Sequence, residues 1–132
     1  MMSYLWVAIG GALGSVARFW CSGFVAQTVG GTFPWGTMAV NVVGSFVIGF
    51  FGTLTGADGR FLVAPDMRTF VMVGFCGGYT TFSSFSLQTL ALVRDGEWLQ
   101  VGANVLLSVV LCLVSVWLGH VAAAGLSELP GG

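Results

Sequence analysis

Ionisable side chains are almost missing from this chain, and that shortage closes off most folds. Of 132 residues only 7% are charged, none is lysine, and 56% are hydrophobic. A soluble domain carries about 25% charged residues. A chain with a mean hydropathy of +0.94 cannot cover itself with a water-facing surface, so the sequence predicts an integral membrane protein. The net charge of −1 leaves no basic patch for nucleic acid.

A membrane-crossing helix needs about 20 mostly apolar residues. Four runs qualify, at about 4–25, 36–56, 69–92 and 100–124. They predict an all-α membrane protein with four transmembrane helices and a single domain over residues 1–132. The N-terminus, MMSYLWVAIGG, lacks the positive region and cleavage site of a secretory signal, so the first run reads as a retained span. Trp6, Trp35 and Trp98 fall near predicted ends, where interfacial aromatics sit. Gly10 and Gly14, Gly52 and Gly56, and Gly74 and Gly78 each stand four apart, the spacing that lets helix backbones approach in lipid.

Orientation is normally set by the basic residues of the loops. Arg60 and Arg68 fall on the side shared by the termini, and Arg94, with Arg18 if it reaches outward, on the other. A tally of two against two predicts insertion in both directions, and with it an antiparallel dimer of one polypeptide.

Polar groups in hydrocarbon turn inward or line water. Helical spacing aligns Thr37, Asn41 and Ser45 in the second run, and Asn104, Ser108, Cys112, Ser115 and Gly119 in the fourth. Two readings stay open at this point: interhelical hydrogen bonds, worth about 0.6–2 kcal/mol each, or the lining of a conduction path. Arg18 is the one ionisable side chain well inside a run. It either snorkels to the interface or lends positive charge to a water-filled vestibule. No aspartate or glutamate lies within any run, which counts against cation or proton-coupled transport, because such proteins use an intramembrane carboxylate.

Cys21, Cys76 and Cys112 are odd in number and lie singly, so they form neither a disulfide framework nor a zinc site. They read as small buried apolar residues. His120, near the end of the fourth run, has no catalytic partner pattern around it and reads as an interfacial or packing residue. Nothing here suggests an enzyme.

Residues 74–86, GFCGGYTTFSSFS, break the apolar monotony with three glycines, two threonines, three serines and three phenylalanines. Broken helices at membrane depth are tolerated where the freed backbone is buried or lines a cavity. The paired glycines predict a break over residues 77–80, mid-membrane, with the helix resuming through TTFSSFSLQTL. Phe82 and Phe85 then share one side, with Ser83 and Ser86 beside them. An aromatic ring has a positive edge, so two rings presented edge-on attract a small anion without a fixed charge. Weak binding is what conduction requires.

Three blocks carry a family resemblance: GGALGSVARFW (10–20), GTMAVNVVGSFVIG (36–49) and GFCGGYTTFSSFS. Together with length and span order they resemble the Fluc-type (CrcB-like) fluoride channels over almost the whole chain. The third block is the most specific. The resemblance implies a multi-pass protein of the cell's inner (plasma) membrane that passively exports fluoride and keeps cytoplasmic fluoride low. It works as an antiparallel dual-topology homodimer, or in some members as a pair of related chains. Asn41, Phe82 and Phe85 match the family's fluoride-pathway residues, Ser108 a fourth-span hydroxyl, and Arg18 the vestibule arginine. Thr81 and Ser83, the hydroxyls flanking Phe82, complete the expected pathway. The resemblance also implies a structural sodium ion at the dimer interface, held by the backbone carbonyls of Gly77 and Thr80 of both subunits. This chain departs from some relatives at Asn104, Cys112 and Gln88. A small four-helix multidrug exporter and a purely structural membrane protein are the rival readings.

Overall fold

The computed structural model describes residues 1–129. It is all-helical, and among the described residues there is no strand. The order is α1 (Met2–Val29), α2 (Trp35–Leu54), α3 (Pro65–Arg68), a π-helical segment (Thr69–Cys76), α4 (Gly77–Tyr79), α5 (Phe82–Arg94) and α6 (Trp98–Ser127). Three of these helices, α1, α2 and α6, are long and apolar enough to cross a membrane. The run at 69–92 is carried by the π-helical segment, α4 and α5 in series rather than by one long helix.

Local chemistry fixes the ends. Gly30 and Gly31 stop α1 with φ of 74° and 81°, a left-handed conformation that glycine adopts without steric cost. Pro34 then leads into α2. At the other end of the molecule, Arg68 caps α2. Its Nη2 donates to Gly52 O at 2.9 Å and its Nε to Thr55 Oγ1 at 3.0 Å. Arg60 likewise donates from Nη1 to Leu126 O at 2.8 Å, and its backbone N–H to Ser127 Oγ at 3.0 Å. Cations at helix C-termini are favourable because the last carbonyls are unpaired and the dipole is negative there. These bonds gather the loop 55–64 and the end of α6 at one end of the molecule. Thr32 Oγ1 donates to Gln100 Oε1 at 3.1 Å and marks the opposite end.

Two packing units result. In one, α1 lies against the π-helical segment and α4 through glycines. A Cβ on Gly10 would stand 2.6 Å from Phe70 O, and one on Gly78 2.7 Å from Gly11 O. A Cβ on Gly14 would collide with Phe75 O, so these backbones touch directly. In the other unit α2 packs on α6, with Gly49 against Val116 O and Gly119 against Phe46 O. Ser115 Oγ donates across this contact to Val42 O at 2.7 Å. The third glycine pair behaves differently from the other two. Gly52 faces the flexible side chain of Met72, and Gly56 lies in the turn beyond α2, where its N–H donates to Thr53 O at 3.3 Å.

Little of the chain is buried: Met38, Val40, Cys76, Leu92 and Ala123 make up its apolar interior. Large apolar side chains such as Leu13, Phe19, Leu106 and Trp117 point outward. In water such a surface is an aggregation hazard; in a bilayer it is the ordinary outer face.

Candidate functional site

The segment after α4 is where regular structure gives way. Thr80 (φ −87°, ψ 159°) and Thr81 (φ −152°, ψ 117°) are extended, and the helix resumes at Phe82. The extended residues therefore lie at the last position of the expected 77–80 stretch and one residue beyond it. Gly77 and Gly78 stay helical; Gly78 serves close approach to α1. Threonine, branched at Cβ, suits an extended backbone better than a helix.

Asn41 on α2 explains why this backbone is stable. Its Nδ2 donates to Thr81 O at 2.9 Å, and Thr81 N–H donates to Asn41 Oδ1 at 2.8 Å. The side-chain amide thus pairs with the extended residue as a neighbouring strand would. Thr81 also caps the resumed helix, its Oγ1 accepting from Ser84 N–H at 3.1 Å. In an unbroken α-helix each N–H bonds the carbonyl four residues earlier. The Thr81 and Ser84 amides would serve the carbonyls of Gly77 and Thr80, and side chains take both. Arg18 Nε donates to Gly78 O at 3.1 Å. Its guanidinium is tied to the broken segment rather than extended along α1 to the nearer end.

Beside the break lies a groove of about 420 Å³. Asn41, Thr81, Phe82, Phe85, Ser108, Gly77 and Thr80 all line it, so most of the residues singled out in the sequence converge on one place. The two rings stand 5.4 Å apart between centroids at 43°. Phe82 is 78% exposed on the single chain. No carboxylate, histidine, lysine or arginine lines the groove.

Two of the expected site residues lie elsewhere. Ser83 is exposed and outside the groove, its hydroxyl 3.4 Å from Thr81 Oγ1. Arg18, the expected vestibule residue, is also outside it and bonds Gly78 O. Ser86 bonds its own helix, donating to Phe82 O at 3.0 Å. The polar stripe of α6 divides by partner. Ser108 and Cys112 face the groove, Asn104 faces α5, and Ser115 and Gly119 pack on α2. Of the cysteines only Cys76 is fully buried; Cys21 and Cys112 are half-buried. His120 is exposed, its Nδ1 2.8 Å from Thr53 Oγ1.

Two contributors escaped the sequence reading. Gly44 gives Thr80 its room, since a Cβ there would collide with Thr80 Cγ2 and stand 3.2 Å from the Tyr79 ring. Its signal was available: positions 41, 44, 45 and 48 share one helical face, and all four line the groove. Thr89 is the second. Its Oγ1 accepts from Asn104 Nδ2 at 2.9 Å and donates to Phe85 O at 2.7 Å. Chemically, the groove offers uncharged hydroxyl and amide groups and two phenylalanine rings beside an extended stretch of backbone.

Comparison with known proteins identifies the family. The family model described as "CrcB-like protein, Camphor Resistance (CrcB)" matches residues 5–120. A protein of Opitutus terrae is 66% identical over 99% of both chains, and one of Methylocella silvestris is 62% identical over 98% of this chain and 99% of its own. A third, from Rhodospirillum rubrum, is 61% identical over 96% of this chain and 98% of its own. All three carry the name "Fluoride-specific ion channel FluC". With that match covering most of its length, and with helices built to cross a bilayer several times, the chain is a multi-pass membrane protein of the CrcB family.

Proposed function

We propose that this protein is a fluoride-selective channel of the bacterial plasma membrane, passing fluoride down its electrochemical gradient. The observation that carries the reading is the groove itself, where Asn41, Thr81, Phe82, Phe85 and Ser108 meet beside a broken helix with no fixed charge among them. The identity of the ion rests on the relatives' names. The physical logic is exchange of water for weak ligands. A small anion sheds hydration against hydroxyl and amide donors and against positive ring edges. No full charge holds it, so it also leaves. An amide nitrogen carries two donors; Asn41 uses one on Thr81 O and keeps the other for the anion.

In this reading the composite segment from α3 to α5 is a fourth span, broken near mid-membrane, and two copies insert in opposite senses. The exposure of Phe82 beside an open groove supports a second copy closing the pathway. The near-balanced arginines support dual insertion, since two of them, Arg60 and Arg68, are bound at helix ends on one side and Arg94 lies at the other end of α5. Arg18, fixed by Nε on Gly78 O, turns its remaining donors toward an aqueous vestibule.

Sodium fits the same break. Among the described residues no group of His, Cys, Asp and Glu side chains is placed to hold a metal ion. The Gly77 and Thr80 carbonyls, by contrast, lose their α-helical amides to side chains, and unwound carbonyls are the groups that hold sodium in membrane proteins. Bound there by both subunits, sodium would neutralise converging carbonyl dipoles and pin the break.

A fluoride electrode over liposomes loaded with fluoride and chloride tests the reading. Wild-type protein should release fluoride rapidly and retain chloride; release no faster than from protein-free vesicles would end the proposal. Phe82→Ile or Phe85→Ile should abolish release with the dimer intact, and unchanged release would remove the rings' role. Replacing sodium by a large organic cation should slow or stop release.

A further inference from the structure

A deeply buried amide on α6 lies outside the groove's lining but bonds one of the lining residues, Ser108. Asn104 is 1% exposed, and each end of its side chain is committed. Oδ1 accepts from Ser108 Oγ at 3.2 Å, and Nδ2 donates to Thr89 Oγ1 at 2.9 Å. Thr89 in turn donates to Phe85 O at 2.7 Å. Ser108, Asn104, Thr89 and the Phe85 carbonyl therefore form one chain of hydrogen bonds across two helices.

We infer that Asn104 is a positioning residue for the anion pathway, setting the rotation of α5, and with it both rings, through Thr89. The inference rests on the conduction reading, but the tie is a property of the helices alone. Three observations carry it. The Asn104–Thr89 bond is the one side-chain hydrogen bond between α5 and α6 among the described residues. Helix α5 has little else to hold it, since Leu92 is its one buried residue and it hangs between the break and a three-residue turn. Finally, the chain ends on Phe85, the ring-bearing residue one turn before Thr89. A part-buried bond between uncharged groups is stronger than the same bond in water, because the local dielectric is low.

The same chain sets the state of Ser108. Its single hydroxyl proton points at Asn104 Oδ1, so it shows the groove lone pairs until an anion arrives. The proton then turns from one acceptor to another, an exchange of one hydrogen bond for the next.

The test uses full-length protein in liposomes, with hydrogen exchange of the α5 amides as a second readout. Asn104→Leu and Thr89→Val should each slow fluoride release about tenfold, the scale of a broken buried hydrogen bond. The double variant should be no slower than either single one, as for two ends of one interaction. Thr89→Ser, which keeps the hydroxyl, should restore release. Exchange across residues 82–89 should quicken in Asn104→Leu and Thr89→Val alike. A Thr89→Val variant that releases fluoride like the wild type while Asn104→Leu does not would overturn the inference, because Asn104 would then act on the ion directly. Unchanged exchange in α5 would overturn it as well, even if the wild type proved to carry no fluoride at all.

Discussion

The seam between α1 and the π-helical segment and the groove between α2, α5 and α6 are built from the same poor alphabet, yet they work in opposite ways. In the seam, Gly10, Gly14, Gly74 and Gly78 remove side chains so that backbone meets backbone. In the groove, side chains stand apart and about 420 Å³ stays open. The seam derives its hold mainly from backbone contact, with Arg18 Nε donating to Gly78 O at its edge. The groove is lined by the Asn41 amide and the hydroxyls of Ser45, Thr80, Thr81 and Ser108, and Asn41 pairs with the backbone of Thr81. Rigidity in the first makes irregularity in the second tolerable: an extended residue among helices survives only where its surroundings are fixed. Arg18 joins the two, rooted in α1 and bonded to Gly78 O.

The largest effect should come from breaking the seam. A methyl on Gly14 would meet the Phe75 carbonyl and stand 2.9 Å from Tyr79 N. Both are backbone atoms that cannot rotate away. Gly14→Ala should cost about 3 kcal/mol or more, at the upper end of overpacking penalties. In detergent it should lose the monodisperse species on size exclusion and melt far below the wild type. A Gly14→Ala protein with wild-type melting would mean that the two helices are free to separate, and the contrast between the regions would collapse.

Breaking the groove should spare the fold and remove the activity. Asn41→Leu strands both the N–H and the carbonyl of Thr81, which bond the amide at 2.8 and 2.9 Å. Each stranded group costs about 1–3 kcal/mol, but the penalty falls on two residues of the break. Fluoride release should fall about a hundredfold, in keeping with roughly 2.7 kcal/mol, with the elution profile unchanged. Equal loss of fold and flux would show that the break, not the seam, holds the molecule together.

This contrast also marks how far the sequence could be read. Four-residue glycine spacing identified the seam at Gly10, Gly14, Gly74 and Gly78, yet the same spacing at Gly52 and Gly56 leads to a methionine side chain and a turn. Spacing names a face but not what lies opposite it. Asn41 stood out because an amide in hydrocarbon must find partners; that they are the two backbone groups of Thr81 depends on where α2 meets the break. The glycines predict a break over residues 77–80, whereas the extended residues are Thr80 and Thr81, where Asn41 pairs with the backbone. The stripe on α6 looked uniform, and tertiary contact divides it: Ser108 lines the groove, while Ser115 joins helices. Thr89 carried no signal, because one threonine on a helix is ordinary until its partner is known.

The smallest effect sharpens the contrast from the other side. Gly102 on α6 is exposed and meets nothing within 4 Å, so neither seam nor groove uses its missing side chain. Glycine inside a helix is destabilising relative to alanine by roughly 0.5–1 kcal/mol. Gly102→Ala should therefore raise the melting temperature slightly and leave fluoride release within about twofold, a span under about 0.5 kcal/mol. The comparison with Gly14→Ala holds the chemistry constant, one added methyl in a long apolar helix, and varies only what lies across from it. If Gly102→Ala instead destabilised the protein as Gly14→Ala does, a second surface would have to lie against α6 at that point, and the second copy proposed above would be the candidate to supply it.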